Sequence, residues 1–278
     1  MYKIEPHLHT THVSRCGRLE AKEIVAGYKA AGYSALIVTD HFNRTTFDYL
    51  GIDPAGKSDR IGAFLEGYRR VREEGERQGL RVFKGAELRF DECENDYLLY
   101  GWANELLAEP EEIFRMGIAA FSPIARGQGA LLIQAHPYRH GCTPAIARYL
   151  DGVEVYNANP RHDSRDALAV HYAKEFGLIG TAGSDCHRNE DIARAGIGIE
   201  CLPSDSMEMT LSAHVRAAPR LASVTATMTF LASSLPRWAS HCFFSRRNVR
   251  AVSVVVPDFE MLITPNFLPF RYSVSSNR

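Results

Sequence analysis

The sequence has no CxxC cysteine pairs and no long apolar run. Its six cysteines are scattered, which argues against a disulfide framework and against a cysteine-based zinc knuckle. An uncharged stretch at 221–236 is rich in serine and threonine, and it is shorter than the ~20 apolar residues that span a bilayer. No basic region followed by an apolar run opens the chain. We therefore expect a cytoplasmic protein with reduced thiols and no membrane contact.

A strong net charge is also missing. The 32 Lys and Arg residues nearly cancel the 33 Asp and Glu residues, so no overall field attracts nucleic acid or an anionic membrane. A chain of 278 residues with 45% hydrophobic content can bury a large core. Lysine disappears after Lys174, and acidic residues become rare beyond Cys201. We therefore expect a domain over residues 1–200 and an atypical extension of uncertain structure over 201–278, to which no function is assigned.

Short apolar runs alternate with amphipathic segments through the first 200 residues. The runs at 35–39 and 130–135 are almost entirely apolar, which is typical of strands buried on both faces. Segments such as 21–31, 110–121 and 165–176 carry apolar residues at helical spacing. A polar loop that contains glycine and proline is expected through about Asp59, and a short helix is expected near Pro144 to Leu150. This alternation predicts a parallel α/β architecture.

Imidazoles and carboxylates recur where the apolar runs end. They are His7, His9, Asp40, His41, Glu87, His136, Glu154, Asp185 and His187. Because the carboxyl ends of β/α-barrel strands converge on one mouth, we expect these side chains to lie close together. Residues i and i+2 of a strand share a face, so Asp185 and His187 would point at one spot, as would His7 and His9. The pattern predicts that the chain closes on itself around a metal.

Histidine and carboxylate ligands without thiolates suit Zn, Mn or Fe. The candidates outnumber the ligands of one tetrahedral ion, so they fit two or three divalent ions. Such centres hydrolyse phosphate esters by activating water and clamping the attacking and leaving oxygens. Other hydrolytic machinery is missing, because the sequence contains no G-x-S-x-G, H-E-x-x-H or G-x-x-x-x-G-K-[ST] motif.

Five motifs in order resemble the PHP (polymerase and histidinol phosphatase) family. They are His-x-His-Thr, Thr-Asp-His, Gly-Ala-Glu, Ala-His-Pro and Gly-Ser-Asp-x-His. The resemblance covers about residues 1–200 and implies a distorted seven-stranded (β/α) barrel with a metal centre of two or three ions. Family members include histidinol-phosphate phosphatases, nucleotide and oligonucleotide phosphoesterases, and exonuclease domains of bacterial polymerases.

The resemblance also implies which residues hold the metals, with one carboxylate bridging the first two ions. The carried-over ligands are His7, His9, Glu87 and Asp185 for the first ion, Glu87 and His136 for the second, and His41 and His187 for the third.

Two positions depart from the family pattern. After the His-x-His pair the family usually has an Asp or His, whereas this chain has Ser14, Arg15 and Cys16, with His12 as the nearest substitute. A His often follows the bridging Glu, and here the nearest suitable side chain is Asp96. Occupancy by only two metals is therefore an alternative to three.

Three further residues receive expected roles at the mouth. Asp40 is either catalytic or orients a metal ligand by accepting an imidazole N–H. Arg139 is a candidate for binding phosphate through paired hydrogen bonds, against the alternative of an ordinary surface arginine. Glu154 faces the barrel interior and serves either structural hydrogen bonding or catalysis.

The first hypothesis is a metal-dependent phosphoesterase that hydrolyses a small phosphorylated metabolite or nucleotide by attack of metal-bound hydroxide on phosphorus. One alternative is an oligonucleotide exonuclease or phosphodiesterase, with short nucleic acid as its substrate. Another is a metal-binding domain of this family that has lost catalysis. The oligomeric state is left open.

Overall fold

The computed structural model describes residues 2–56, 59–199 and 202, together with the backbone of 229–232, 255–256 and 259–260. The first nine strands are β1 (Tyr2–Leu8), β2 (Ala35–Val38), β3 (His41–Phe42), β4 (Arg81–Arg89), β5 (Asp96–Tyr100), β6 (Leu131–Gln134), β7 (Gly152–Asn157), β8 (Ile179–Gly183) and β9 (Ala195–Ile199). The helices are α1 (Ala21–Ala30), α2 (Arg44–Leu50), α3 (Arg60–Phe64), α4 (Glu66–Gln78), α5 (Pro110–Gly127) and α6 (Asp166–Phe176). None of the described helices is long and apolar enough to cross a membrane.

Seven strands form the wall of a barrel in the order β1-β2-β4-β5-β6-β7-β8. A bridge between Leu8 and Cys186 joins β1 to the segment after β8. The ninth strand pairs antiparallel with β1, which makes a nearly closed barrel of eight strands. The predicted distorted seven-stranded (β/α) barrel is confirmed, and β9 is the additional strand.

Among β1 to β8, the wall strands run parallel except at β5, which is antiparallel to both β4 and β6. The connection between β4 and β5 spans only residues 90–95, which is too short for the crossover that a parallel pair needs. The predicted parallel architecture holds for the other wall strands, whereas β5 and β9 run antiparallel to their neighbours.

Buried side chains form two clusters on opposite faces of the sheet. Leu36 and Val38 of β2 belong to a large cluster that also contains helix residues, whereas Ile37 between them belongs to a second cluster. Successive strand residues point to opposite faces of the sheet. Since the first cluster contains the helix residues, it lies between the sheet and the helices, and the second cluster fills the barrel interior. Ile4, Phe83 and other apolar residues close that interior, so the polar side chains gather at the carboxyl ends of the strands.

Two local predictions differ from the structure. The sequence predicted a polar loop through about residue 59, but α2 occupies part of it, with Asn43 capping the N–H of Thr46 and Gly51 ending the helix in a left-handed conformation. Phe47 of α2 is fully buried. The short helix expected near 144–150 is a single 3-10 turn, Ala147–Tyr149.

The sheet continues past β9 through three short strands, β10 (Thr229–Ala232), β11 (Val255–Val256) and β12 (Phe259–Glu260). β10 pairs antiparallel with β9. The expected domain boundary at residue 200 stays a prediction, since most of the extension lies outside the described residues.

Candidate metal centre

Seven of the predicted ligands meet at the carboxyl ends of the strands. They are His7, His9, His41, Glu87, His136, Asp185 and His187. Four overlapping groups of three side chains place their ligand atoms within 4.8 Å of one another: His7/His9/Asp185, His7/Glu87/His136, His41/Glu87/Asp96 and His9/His41/His187. Side chains that are up to 180 positions apart in sequence, His7 and His187, therefore belong to one cluster.

The His7, His9, Glu87 and Asp185 side chains have the spacing of a metal site. The Nε2 atoms of His7 and His9 lie 3.4 and 3.3 Å from Asp185 Oδ1. The same two nitrogens lie 3.3 and 3.4 Å from the two carboxylate oxygens of Glu87. Ligands bound tetrahedrally at about 2.0–2.1 Å are separated by roughly 3.4 Å. His7, His9 and Asp185 therefore have ligand atoms spaced for one ion, and Glu87 lies beside both histidines.

Several donor atoms of this set have no hydrogen-bond partner. Among the described residues, the buried Nε2 atoms of His7 and His9 are without one, and Oε2 of Glu87 has only the ion-pair contact with His41 Nδ1 at 2.7 Å. Buried polar groups are normally satisfied by a partner, and a bound ion is one recognised partner for those that have no hydrogen bond. These atoms point to a metal as the missing partner.

Burial and charge prepare the carboxylates for metal binding. Burial would raise the pKa of Glu87, but the charges of His41 and His7 outweigh it and hold that pKa well below the ordinary value. The pKa of Asp185 is lowered in the same way, because His7 and His187 outweigh the effect of burial. Both groups are ionised at neutral pH, as metal ligands must be.

His9 is held neutral by its surroundings. Burial lowers its pKa well below the ordinary value, and the charges of His187 and His41 lower it further. Ser14 Oγ lies 2.7 Å from Asp40 Oδ1, to which it donates its proton, and 3.4 Å from His9 Nδ1. Since Ser14 can then only accept from His9, Nδ1 carries the ring proton and the lone pair of Nε2 faces the cluster.

Glu154 orients His7 through Nδ1, the ring nitrogen on the side away from the other candidate ligands. Its Oε1 lies 2.9 Å from His7 Nδ1, and its Oε2 accepts from the backbone N–H of His136 at 3.1 Å and from Asn157 Nδ2 at 2.8 Å. A carboxylate behind a metal-binding imidazole fixes the tautomer and the ring orientation. The sequence left structural and catalytic roles open for Glu154, and the geometry favours hydrogen bonding.

The second expected ion has fewer ligands around it. His136 Nε2 lies 3.1 Å from Glu87 Oε1 and 4.0 Å from Asp96 Oδ2. Arg89 donates to both carboxylate oxygens of Asp96 at 2.7 Å, so Asp96 already has a strong partner. Cys142 Sγ lies 3.8 Å from His136 Nδ1, a contact that the sequence did not predict.

The third group consists of stacked imidazoles with a thiol beside them. The ring of His9 lies between those of His41 and His187, at centroid distances of 4.3 and 4.2 Å. Burial raises the pKa of the Cys16 thiol, but hydrogen bonds with His187 and His41 outweigh it and lower this pKa to about 6. The sequence predicted a ligand set without thiolates, and none of the four groups found in the described part of the chain contains a cysteine.

His12 is not brought into the cluster. Its Nε2 lies 2.9 Å from Glu20 Oε2, and His12 belongs to none of the four groups found in the described part of the chain. The loop that carries His12 turns it toward the start of α1, so the predicted substitution does not match this geometry.

Asp40 lies behind the cluster. Its oxygens accept from Thr10 N and Ser14 Oγ at 2.7 Å and from Thr10 Oγ1 at 2.8 Å. Asp40 therefore holds the loop after β1 and reaches His9 through Ser14. The imidazole N–H that the sequence predicted as a donor is absent from these hydrogen bonds, and a catalytic role for Asp40 stays a prediction.

Arg139 lies at the mouth, with its side chain 17% exposed. Its Nη1 donates to Asp185 Oδ2 at 3.3 Å, and its Nη2 lies 3.6 Å from Asp96 Oδ2. Arg139 is therefore not an ordinary surface arginine, because it faces the candidate ligands.

The strand-based argument for Asp185 and His187 is wrong in its mechanism. β8 ends at Gly183, and Asp185 has a φ of +47°, in the left-handed region. His136 also has a positive φ, +28°. Such conformations cost free energy in residues other than glycine and cluster at functional sites. The side chains of His136 and Asp185 therefore reach the cluster from segments that follow strands, not from the face of a strand.

A family model of the PHP domain matches residues 5–195. The chain therefore belongs to the PHP domain family, and the resemblance seen in the five motifs is confirmed.

Solved structures agree on the fold. The crystal structure of PsfC from Pseudomonas syringae PB-5123 has a TM-score of 0.58 at 18% identity, over 84% of this chain and 92% of PsfC. A two-domain protein from Bacteroides vulgatus ATCC 8482, described as containing a predicted PHP-like metal-dependent phosphoesterase, has a TM-score of 0.54 at 15% identity, over 84% of this chain and 66% of that protein. Comparison with curated proteins gives no match.

Proposed function

We propose that this protein is a metal-dependent phosphoesterase that hydrolyses a small phosphorylated metabolite or nucleotide. One observation carries the proposal: the buried Nε2 atoms of His7 and His9 have no hydrogen-bond partner among the described residues, and both lie 3.3–3.4 Å from carboxylate oxygens of Glu87 and Asp185. Membership of the PHP domain family supports the same class of reaction, as does the similar Bacteroides vulgatus protein, described as containing a predicted PHP-like metal-dependent phosphoesterase.

The ligand sets suit two or three divalent ions of Zn, Mn or Fe. His7, His9, Glu87 and Asp185 would hold the first ion, with Glu87 shared toward His136 for a second. His41 and His187 would hold a third. When bound, these ions supply the Lewis acidity that activates water and offsets charge on the phosphoryl group.

Arg139 is the protein group best placed to bind the substrate phosphate. Its guanidinium already faces two acidic residues at the mouth, and it carries five N–H donors, more than these contacts use. Arginine recognises phosphate oxygens through paired hydrogen bonds. We expect Arg139 to orient the phosphoryl group and to neutralise part of its charge.

A small substrate fits the charge balance better than long nucleic acid does. The chain carries a formal net charge of −1, and long nucleic acids are bound mainly through clustered basic residues that displace counterions. Short oligonucleotides remain an outcome of the test below.

The test is a panel of phosphate monoesters and diesters, offered to protein loaded with Zn²⁺ or Mn²⁺. Phosphate release from monoesters by the wild type, lost in His9→Ala and retained in His171→Ala, would support the proposal. His171 is the matched control, since it is an exposed histidine of α6 outside the cluster. Mononucleotide release from short strands alone would favour the exonuclease alternative, and bound metal with no hydrolysis would favour the inactive domain.

A further inference from the structure

The turn after β8 carries two candidate ligands, Asp185 and His187, and is held by the loop after β7. Near the start of the turn, Asn159 Nδ2 donates to the carbonyl oxygen of Asp185 at 3.1 Å. Near its end, Arg161 donates through Nη1 and Nη2 to the two carboxylate oxygens of Asp191 at 2.7 and 2.6 Å. Asn159 Oδ1 also accepts from the backbone N–H of Arg161 at 3.1 Å. One loop therefore fixes both ends of the turn.

Asp191 joins the guanidinium of Arg161 to the backbone of His187. Its side chain is fully buried, and its Oδ2 accepts from the N–H groups of His187 and Arg188, each at 2.9 Å. A buried carboxylate is costly without an opposite charge, and removal of its partner leaves that cost uncompensated. Arg161 supplies the opposite charge, and Asp191 in turn holds the backbone of His187.

Two other hydrogen bonds hold His187. Its carbonyl oxygen accepts from Arg18 N at 2.8 Å. Its Nδ1 lies 2.8 Å from the carbonyl oxygen of Asp185, which can only accept, so Nδ1 donates and the lone pair is on Nε2. His187 forms with His9 and His41 one of the groups whose ligand atoms lie within 4.8 Å of one another. The path of the turn therefore sets the direction in which His187 offers its lone pair to an ion.

We propose that Asp191, paired with Arg161, is a positioning residue for the ion that His41 and His187 would bind. Asp191 acts through the backbone N–H of His187, and its buried ion pair with Arg161 keeps the turn from moving. The proposal rests on the metal centre of the proposed function and adds to it two residues that support one particular ion.

Loss of the ion pair should affect one ion more than the others. Asp185 keeps its hydrogen bonds with Asn157 and Asn159 when Asp191 is altered, whereas His187 loses the acceptor of its N–H. Loss of a group that orients a metal ligand typically weakens metal binding by about 10- to 100-fold. We expect a loss of this size for the ion that His187 binds and a smaller loss for the ion at His7.

Cadmium NMR distinguishes the ions and does not depend on activity. Metal-free protein is loaded with an NMR-active cadmium isotope, and each bound ion gives its own resonance. His187→Ala and His7→Ala identify two of the resonances, since each variant lacks one ligand. At a cadmium concentration that just fills the wild type, Arg161→Gln and Asp191→Asn should both lose the His187 resonance and keep the His7 resonance.

Chelator competition measures the same effect as an affinity. Glu190→Gln is the matched control for Asp191→Asn, since Glu190 is an exposed carboxylate 3.6 Å from the same guanidinium. Arg115→Gln controls for the loss of one arginine, because Arg115 is an exposed residue of α5 paired with Glu111. Both controls should keep the wild-type affinity. The double variant at positions 161 and 191 should lose no more than the weaker-binding single variant, because side chains in direct contact are not additive.

Arg161→Lys keeps a positive charge beside Asp191 and should lose less affinity than Arg161→Gln; it replaces Asp191→Asn in the test if that variant does not fold. Unchanged resonances in Arg161→Gln, or the loss of all resonances together in a folded variant, would overturn the positioning role. A His187→Ala protein that keeps every resonance would overturn it too. Wild-type protein that binds no metal would refute the proposed function as well.

Discussion

Glu154 shows how a single residue outside the ligand set controls it. One of its oxygens faces the ring N–H of His7, and the other accepts from two donors, the His136 N–H and Asn157 Nδ2. In each of these contacts an N–H group donates to a carboxylate oxygen of Glu154. A side chain with only one accepting oxygen therefore cannot accept both from His7 and from the other two donors.

We predict that Glu154→Gln weakens metal binding by about 10- to 100-fold, the range typical of lost outer hydrogen bonds. If the amide oxygen faces His7, the NH₂ group meets two donors. If the amide oxygen instead faces the His136 N–H and Asn157 Nδ2, the NH₂ group points at His7 Nδ1. The ring proton of His7 must then move to Nε2, which removes the lone pair that would bind the metal. Competition with a chromogenic chelator measures the affinity. Glu175→Gln, which alters an exposed carboxylate 3.8 Å from His171, is the control, and equal affinities in the two variants would contradict the role of Glu154.

Asp166 at the start of α6 gives a pH-dependent contribution to stability. Burial raises the pKa of its carboxyl from 3.8 to about 7, and the N–H of Asn157 lowers it only in part. An acid whose pKa is higher in the folded state binds its proton more tightly there. Its contribution to stability is therefore complete below the unfolded pKa and is lost as the pH rises through the folded pKa.

We predict that the free energy of unfolding of the wild type falls between about pH 4 and 7 relative to Asp166→Asn, by about 1–2 kcal/mol after allowance for partial exposure. Urea titrations at several pH values, in the same metal buffer, measure the difference. Asp163→Asn controls for the loss of one negative charge. Parallel profiles for the wild type and Asp166→Asn would rule out this contribution.

Helix α4 packs directly onto the support of the metal centre. A Cβ at Gly67 would overlap Thr10 Oγ1 and Asp40 Oδ2. These two atoms are hydrogen-bonded to each other at 2.8 Å. The close approach of α4 therefore depends on a residue without a side chain.

We predict that Gly67→Ala destabilises the protein by about 1–3 kcal/mol, the usual cost of overpacking a filled core. It should also weaken metal binding, because Asp40 holds Ser14 against His9. Gly127→Ala in α5 is the matched control, since no atom lies within 4 Å of its added Cβ, and alanine should stabilise this helix by up to about 1 kcal/mol. Thermal unfolding and chelator competition measure both effects; a Gly67→Ala protein as stable as Gly127→Ala would refute the packing argument.

At the scale of the whole molecule, the metal centre joins the two ends of the described barrel. His7 and His9 come from the first strand and its end, Glu87 from β4, and Asp185 from the turn after β8. A metal ion that binds this set can do so only when the barrel is closed. Binding is therefore coupled to folding.

We predict that Zn²⁺ or Mn²⁺ raises the thermal unfolding midpoint and that chelation reverses the rise. At 100 times the dissociation constant, the expected gain in stability is about 2.7 kcal/mol. His9→Ala should lose most of this shift, and His171→Ala should keep it. Calorimetry with and without metal makes the measurement. An equal shift in both variants would place the stabilising metal elsewhere.

The sequence predicted most of the described elements because their patterns are local. α1, for example, was expected over 21–31 and is found at Ala21–Ala30. The spacing of its buried residues and the glycine that follows its end, Gly32, are both local features of the sequence. α2 was missed because its stability depends on the burial of Phe47 against Phe114, a residue 67 positions away in the sequence. The antiparallel direction of β5 follows from a short connection whose geometry was not considered.

For the site, the sequence alone determined seven candidate ligands and their placement at or just after strand ends, because residue type and strand position are local properties. Only the tertiary structure decided which of them face one another. It assigned His12 to Glu20 and Asp40 to Thr10 and Ser14, and it brought Cys16 to His41 and His187. These outcomes depend on the paths of loops and on positive φ angles at His136 and Asp185. Such conformations are held by hydrogen bonds between distant segments, and no local pattern encodes them.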